Sequence, residues 1–242
     1  MNLLDLTLPS AAENLACDEA LLDAAEAGAS GEALRFWEPH EPFVVVGYAN
    51  PVATEVNAAT CADRSVPILR RCSGGGTVLQ VPGCLNYALV LQIEPDGPLQ
   101  NISAANQFIM ERNRTAIETA IAKPQSAIRV QGHTDLTFNG RKFSGNSQRR
   151  RRHFLLFHGV LLLHADLALI GELLPMPSAQ PDYRAHRPHA EFLTNLKVSA
   201  ASVKIALAKV WNATAPLAGI PRERITGLAC EKYATREWSF KF

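Results

Sequence analysis

The chain has 242 residues, 47% hydrophobic and 19% charged, with 24 basic against 23 acidic side chains and a formal net charge of +1. That is enough chain to bury a sizeable core, as one large domain or one domain with a small appendage. The even charge removes any global electrostatic case for nucleic acid or a membrane surface as the main partner.

The start MNLLDLTLPS lacks a basic opening followed by a long apolar run, so it does not read as a signal peptide. No stretch approaches the roughly 18 uninterrupted apolar residues of a membrane helix. The five cysteines (Cys17, Cys61, Cys72, Cys84, Cys230) are scattered without metal-ligand spacing, which fits free thiols in a reducing cytoplasm.

In chain order, Ser10 and Glu13 form a capping box that opens a helix carrying Leu15, Leu21 and Leu22 and ending near Gly28. Phe43-Val44-Val45-Val46, bounded by Pro42 and Gly47, reads as a buried strand. Ile68 to Arg71 is a short strand leading into the Gly74-Gly75-Gly76 turn, and Asn86 to Ile93 is another strand, broken by Pro95, Gly97 and Pro98. Ser103 is placed to cap a helix with Phe108, Ile109, Ile117 and Ile121, stopped by Pro124. Ile128 and Val130 alternate, as do Leu136 and Phe138, before Asn139-Gly140, the strongest short hairpin signal because a primed turn needs positive φ at both central positions. That hairpin puts Lys142 at the start of the returning strand. Phe154 to Leu163 is a further strand, followed by a helix near Leu167–Leu174, a proline-punctuated loop around Pro175–Pro188 and a helix from about Ser199 to Trp211. Helices and hairpins mix without a regular βαβ rhythm, so the expected class is α+β.

Two segments carry chemistry. The first runs Arg70-Arg71-Cys72-Ser73-Gly74-Gly75-Gly76-Thr77-Val78-Leu79 and is followed by Asn86. Adjacent glycines lose much backbone entropy on ordering, so a fold keeps them where side chains are not tolerated, as where backbone N–H groups approach an anion. No Gly-Lys-Ser/Thr follows, so this is not a Walker loop, and a plain flexible turn is the competing reading. Arg71 offers a planar fork to a phosphate or carboxylate. Arg70 reads instead as a solvated or ion-paired strand residue.

The second segment runs from Thr134-Asp135-Leu136 through Gly140-Arg141-Lys142-Phe143-Ser144-Gly145-Asn146-Ser147. A lysine straight after a tight turn, with small Ser144, Gly145 and Ser147 beside it, places a point charge where a ligand has room.

Together with His158-Gly159, Leu193-Thr194-Asn195-Leu196 and the Glu231-Lys232-Tyr233 to Glu237-Trp238 ending, the RRxSGGGxV loop and the Gly-Arg-Lys-x-Ser-Gly-x-x-x-Arg stretch resemble the lipoate–protein ligase and octanoyltransferase superfamily, from about Leu34 to Phe242. The resemblance implies a biotin/lipoate ligase (class II synthetase-like) catalytic domain spanning residues 1–242, a mixed sheet packed against helices, with no C-terminal accessory domain within the chain. It implies attack of a lipoate carboxylate on the α-phosphate of ATP, then transfer of the acyl group from lipoyl-AMP to a carrier lysine. Lys142 would be catalytic, stabilising charge between the two anions. Arg71, Ser73, Gly74, Gly75, Gly76, Thr77, Val78, Leu79, Asn86, Asp135, Lys142, Ser144 and Gly145 would hold ATP or lipoyl-AMP. Gly75, Asn86, Lys142, Gly145, His158 and Gly159 would line the acyl groove. His158 as a satisfied core histidine is the competing reading.

Mg2+ is expected with the phosphates, without an all-protein cage; Asp135 could hold either Lys142 or that metal. Implied partners are lipoyl-carrier domains of 2-oxoacid dehydrogenase complexes or the glycine cleavage H protein, and a separate accessory protein, since some family members carry that domain as another chain. A non-catalytic carrier-binding protein is a further reading. Octanoyltransferases on the same fold need a thiolate in the acyl pocket. The stretch Val130-Gln131-Gly132-His133 and the loop Leu174–His189 contain no cysteine, and Cys72 and Cys84 read as small buried residues, which favours the ligase. Arg149 to Arg152 read as a solvated face.

Overall fold

The computed structural model describes residues 1–121 and 128–242. Strand β1 (Asn2–Asp5) leads into helix α1 (Ala11–Glu26), whose start has the expected reciprocal cap: Glu13 N donates to Ser10 Oγ at 3.2 Å and Ser10 N donates to the Glu13 carboxylate at 2.9 Å. Strand β2 (Ala33–Trp37) and β3 (Phe43–Val46) follow, then the short helices α2 (Val52–Glu55) and α3 (Ala58–Asp63). Next come β4 (Ile68–Arg70), β5 (Val78–Gln80), β6 (Cys84–Gln92) and helix α4 (Ile102–Ile121). Strands β7 (Ile128–Gln131), β8 (Asp135–Phe138), β9 (Arg141–Arg150) and β10 (Phe154–Leu162) precede α5 (Leu167–Leu173), α6 (His189–Phe192), α7 (Ala200–Val210), β11 (Ala215–Pro216), α8 (Arg222–Leu228) and α9 (Arg236–Ser239).

The strands form two sheets that share the work of burial. An eight-stranded mixed sheet has the order β11-β1-β2-β6-β10-β9-β8-β7, and a three-stranded one the order β4-β3-β5. Helices α4 and α7 cover one face of the large sheet over Phe36, Tyr87, Phe143 and Phe157; α1 and α8 cover the other over Trp37, Ala88 and Leu156. The small sheet packs with α5 and α6 around Val44, Val46, Leu79 and Val160. The α+β class and the mixed sheet against helices are as the sequence indicates.

Several boundaries differ for local reasons. Helix α4 starts before Ser103: the Asn101 side chain takes the N–H of Ala104 at 2.9 Å and does the capping. The stop at Pro124 lies outside the described residues. The loop after α5 contains a single 3₁₀ turn, Asp182–Arg184. Asn139 and Gly140 have φ of 51° and 74°, the two positive values a primed hairpin turn needs. Among the described residues no helix is long and apolar enough to cross a membrane.

Candidate functional site

The site is built on strand β9 and the bend between β4 and β5. Two residues after the hairpin turn the β8–β9 register slips: Leu136 pairs Ser144, but Thr137 pairs Lys142, so Phe143 is an extra residue on β9. Such a bulge rotates the chain and re-aims a side chain. Phe143 enters the α4-side core, and the Lys142 side chain lies over Gly145, where a Cβ would come within 3.0 Å of both Cε and Nζ. The Lys142 side chain is 26% exposed, and its ammonium pairs with Asp135 Oδ1 at 2.8 Å; the other carboxylate oxygen accepts from Tyr183 Oη at 2.6 Å. Burial and the Asp135 charge push the Tyr183 phenol above its ordinary pKa, so it remains a donor. Asp135 therefore holds Lys142.

Past Gly145 the same face of β9 carries Ser147 and Arg149, each about 7 Å further along the strand. Ser147 Oγ donates to the Gly74 carbonyl at 2.8 Å, which fastens the glycine bend to β9. Arg149 lies over the Tyr48 ring, 5.9 Å from its centroid, and its Nε is buried without a partner. The result is a strip with a small-residue floor, Gly145 and Ser147, a cation at each end and the triple glycine as its wall.

Arg71 shapes that wall. Its guanidinium is buried and donates to Ser73 Oγ, to the Gly74 carbonyl at 2.5 Å and to the Gly76 carbonyl at 2.7 Å. Burial brings its pKa down to about 10, still high enough to keep the charge. Gly75 has φ of 82°, and a Cβ there would press on the Arg71 fork at 3.1 Å. Cβ atoms at Gly74 and Gly76 would meet open space, and the N–H groups of Gly74, Gly75 and Gly76 make no backbone hydrogen bond among the described residues. Thr77 Oγ1 is buried and has no partner. Unspent amides, an orphaned hydroxyl and open space are what an anionic ligand needs from a cradle.

Behind the bend lies a chain of buried polar groups. Arg35 of β2, Ala88 of β6, His158 of β10 and Ser147 of β9 face one another in register across four strands. His158 Nε2 is 2.6 Å from Ser73 Oγ, and its Nδ1 is 3.1 Å from Asp18 Oδ2. Asp18 Oδ1 takes Arg35 Nη1 at 2.6 Å. Burial pushes the Asp18 carboxyl up, but Arg35 and His158 outweigh it and leave the pKa below the ordinary aspartate value.

The residues singled out in the sequence therefore divide. Lys142, Asp135, Gly145, Arg71 and the bend Ser73–Gly76 come together, and His158 touches the bend from behind. Val78 and Leu79 enter β5, with Leu79 in the small-sheet core, and Asn86 exchanges two amide bonds with Gln80 at 2.7 and 2.8 Å. Ser144 and Gly159 face the other side of the sheet. Ser144 Oγ accepts from Asn146 Nδ2, and a Cβ on Gly159 would collide with Asn146 Oδ1.

Two arginine readings need correcting. Arg70 is fully buried, with its fork on five backbone carbonyls, neither solvated nor ion-paired. The Arg149–Arg152 run is not one solvated face, because strand alternation splits it. Arg149 joins the site, Arg150 turns to the Leu99 and Gln100 carbonyls, and Arg151 pairs with Asp23 at 2.9 Å. Arg149 and Asp18 were missed as site residues; for Arg149 the period-two alternation with Gly145 and Ser147 was the available signal.

Residues 10–215 match the family model for the lipoyl protein ligase A/B catalytic domain. A curated relative, octanoyltransferase LipM of Carboxydothermus hydrogenoformans, is 29% identical over 96% of this chain and 96% of its own. Lipoate-protein ligase A subunit 1 of Thermoplasma acidophilum is 26% identical over 93% of this chain and 90% of its own. The crystal structure of a lipoate-protein ligase A bound with ATP superposes with a TM-score of 0.76 at 24% identity, covering 99% of this chain and 98% of that one. The fold is that of the lipoate ligases, and the chain belongs to the lipoyl protein ligase A/B catalytic-domain family.

Proposed function

We infer that this chain is a lipoate–protein ligase: it joins a lipoate carboxylate to the AMP part of ATP and passes the acyl group to a lysine of a lipoyl-carrier domain. The observation that carries this reading is the Lys142 ammonium, laid over Gly145 beside the bend that Ser147 fastens, with no cysteine on that strip.

The physical problem of the first step is repulsion between a carboxylate and a polyphosphate. A fixed ammonium between them stabilises the charge that builds up as they meet, and prior fixation by Asp135 removes the cost of orienting it during reaction. The amides of Gly74, Gly75 and Gly76 and the Thr77 hydroxyl suit the phosphate side; Arg149 suits a carboxylate or phosphate at the far end of the floor. Magnesium bound to the triphosphate supplies further neutralisation. Asp135, engaged by Lys142 and Tyr183, serves to position the lysine.

Similarity to octanoyltransferases supports a second reading, acyl transfer through a cysteine thioester. Four of the five thiols oppose it. Cys17, Cys61, Cys72 and Cys84 are buried, and burial raises the pKa of Cys17 and Cys84 to about 11 and that of Cys72 to about 12. A working nucleophile needs the opposite shift. Each single Cys→Ala variant is expected to turn over within about twofold of the parent, since each change trims a small apolar group; a trapped acyl-thioester with loss of activity at Cys72 or Cys84 would establish the transferase. Mass spectrometry after incubation with ATP and lipoate separates bound acyl-AMP from acyl-cysteine and decides between the readings. Comparing ATP–pyrophosphate exchange with and without a candidate accessory protein tests the need for a second subunit, an arrangement suggested by the relative designated subunit 1.

The bend also leans on Gly47, where a Cβ would lie 2.0 Å from the Gly75 carbonyl oxygen. Gly47→Ala must displace the bend. A displacement of about 1 Å at a reacting site costs on the order of 10²-fold. Pyrophosphate exchange in Gly47→Ala is expected to fall at least tenfold with the protein still folded; an unchanged rate would remove the bend from the reaction.

A further inference from the structure

The second half of the proposed reaction has a proton to place. A carrier lysine amine that attacks an acyl carbonyl must lose a proton as the C–N bond forms, whether the acyl group arrives as an adenylate or as a thioester. Lys142 donates to Asp135, and Asp135 accepts from Lys142 and Tyr183, so the two are already engaged with each other and with the phenol. Arg71 and Arg149 only donate.

The groups behind the bend have the order such a step needs, and their proton positions follow from valence. Asp18 is ionised and only accepts, so His158 Nδ1 carries a hydrogen directed at Asp18 Oδ2. Arg71 Nε–H donates to Ser73 Oγ at 3.1 Å, which fixes one lone pair of that oxygen. With a neutral imidazole, Nε2 is an acceptor, and the Ser73 hydroxyl proton lies along the 2.6 Å line towards it. Hydroxyl, imidazole and carboxylate thus stand in the order that lets a serine oxygen exchange protons. Arg35 occupies one oxygen of Asp18 and leaves the other for the imidazole. Ser73 opens the triple-glycine bend and is itself buried, at 1% exposure, while a Cβ on the adjoining Gly74 would meet open space, the side from which an amine would approach.

We propose that Ser73, His158 and Asp18 form a proton relay for acyl transfer to the carrier lysine. This rests on the amine-attack half of the function proposed above and not on adenylation. As the lysine nitrogen bonds to the acyl carbon, its proton passes to Ser73 Oγ and the hydroxyl proton passes to His158 Nε2. The bond from the acyl carbon to the phosphate oxygen breaks, and AMP leaves with that electron pair. Asp18 stabilises the imidazolium through Nδ1–H, and the imidazolium returns its proton to solvent when the product departs. Ser73 is the catalytic group; His158 acts through it, and Asp18 is a positioning residue.

Formation of the adenylate needs no such base, because the attacking carboxylate is already ionised. The test therefore compares the two halves in His158→Gln, with Ser73→Ala as a second variant that removes one atom. Pyrophosphate exchange reports adenylation; single-turnover transfer from isolated lipoyl-AMP to a lipoyl-carrier domain reports the amine step. The ratio of transfer to exchange is expected to fall about 100-fold in both variants, the size of a typical general-base contribution, with the carrier KM unchanged. Equal losses in both halves would mean that the chain of bonds only supports the bend, and undiminished transfer would remove the relay. If the parent shows no exchange, the ligase reading fails, while transfer from supplied lipoyl-AMP still decides the relay.

Discussion

Lys142→Ala is expected to cut lipoyl-AMP formation by about a thousandfold while leaving the protein folded. The size follows from the role: a preorganised donor aimed at developing charge contributes on the order of 10²–10³ in rate, and here a full cation serves two anions. The fold should tolerate the change, because the lost pair is 26% exposed on the lysine side and such pairs contribute at most about 1 kcal/mol. Asp135 keeps its Tyr183 partner. The main-chain N–H of Thr194 still meets the carbonyl of residue 142, which ties the Leu193–Leu196 segment to β9 whatever the side chain. Acyl-AMP measured by mass spectrometry, beside a thermal melt, checks both halves of the prediction. Parental adenylation in a folded Lys142→Ala protein would end the assignment.

Arg70→Leu is expected to be the most damaging substitution for stability. Arg70 Nη1 donates to the carbonyls of Gly47, Tyr48 and Asn50 at 2.7, 3.0 and 2.8 Å, Nε to Trp238 at 3.0 Å, and Nη2 to Ser239 at 2.9 Å. Leucine approximates the apolar stem and leaves those carbonyls facing a hydrocarbon. Unpaired buried acceptors cost about 1–3 kcal/mol each before relaxation, and relaxation towards water recovers part of it, so a loss of about 4 kcal/mol is expected. Urea unfolding measures it as a lower midpoint at unchanged slope. Activity should fall as well, because the 47–50 turn carries Gly47 against the glycine bend. A loss under about 1 kcal/mol would show that the clamp is dispensable.

How much the sequence revealed depended on distance along the chain. The Ser10–Glu13 cap, the Phe43–Val46 strand and the Asn139-Gly140 turn are each specified within a few residues, and each formed as read. Lys142 was legible because a two-residue turn fixes where the returning strand begins. The bulge at Phe143 was not, because β8 and β9 alternate cleanly on paper and only core packing of Phe143 reveals the extra residue. Without it, the strand period places Lys142 on the face of Asn146. Asp18 looks like any polar residue of a helix; its partners are 17 and 140 positions away, and no local pattern links them. Arg70 and Arg71 are adjacent and chemically alike, yet one binds the carbonyls of the C-terminal segment and the other those of the bend. That division comes from strand alternation against two different neighbours, knowable only once the small sheet is built.

The rank Arg35–Ala88–His158–Ser147 has a consequence for how the molecule becomes active. Its members, with Asp18 and Ser73, are drawn from α1, β2, the bend, β6, β9 and β10, so their contacts close long loops and must wait for distant segments to meet. Helix α1 and the β8–β9 and β9–β10 hairpins are local and can form early, whereas pairing of β10 with the distant β6 completes the middle of the sheet. During refolding, helical signal is therefore expected to return before catalysis does, and recovery of enzyme turnover times the pairing of β10 with β6.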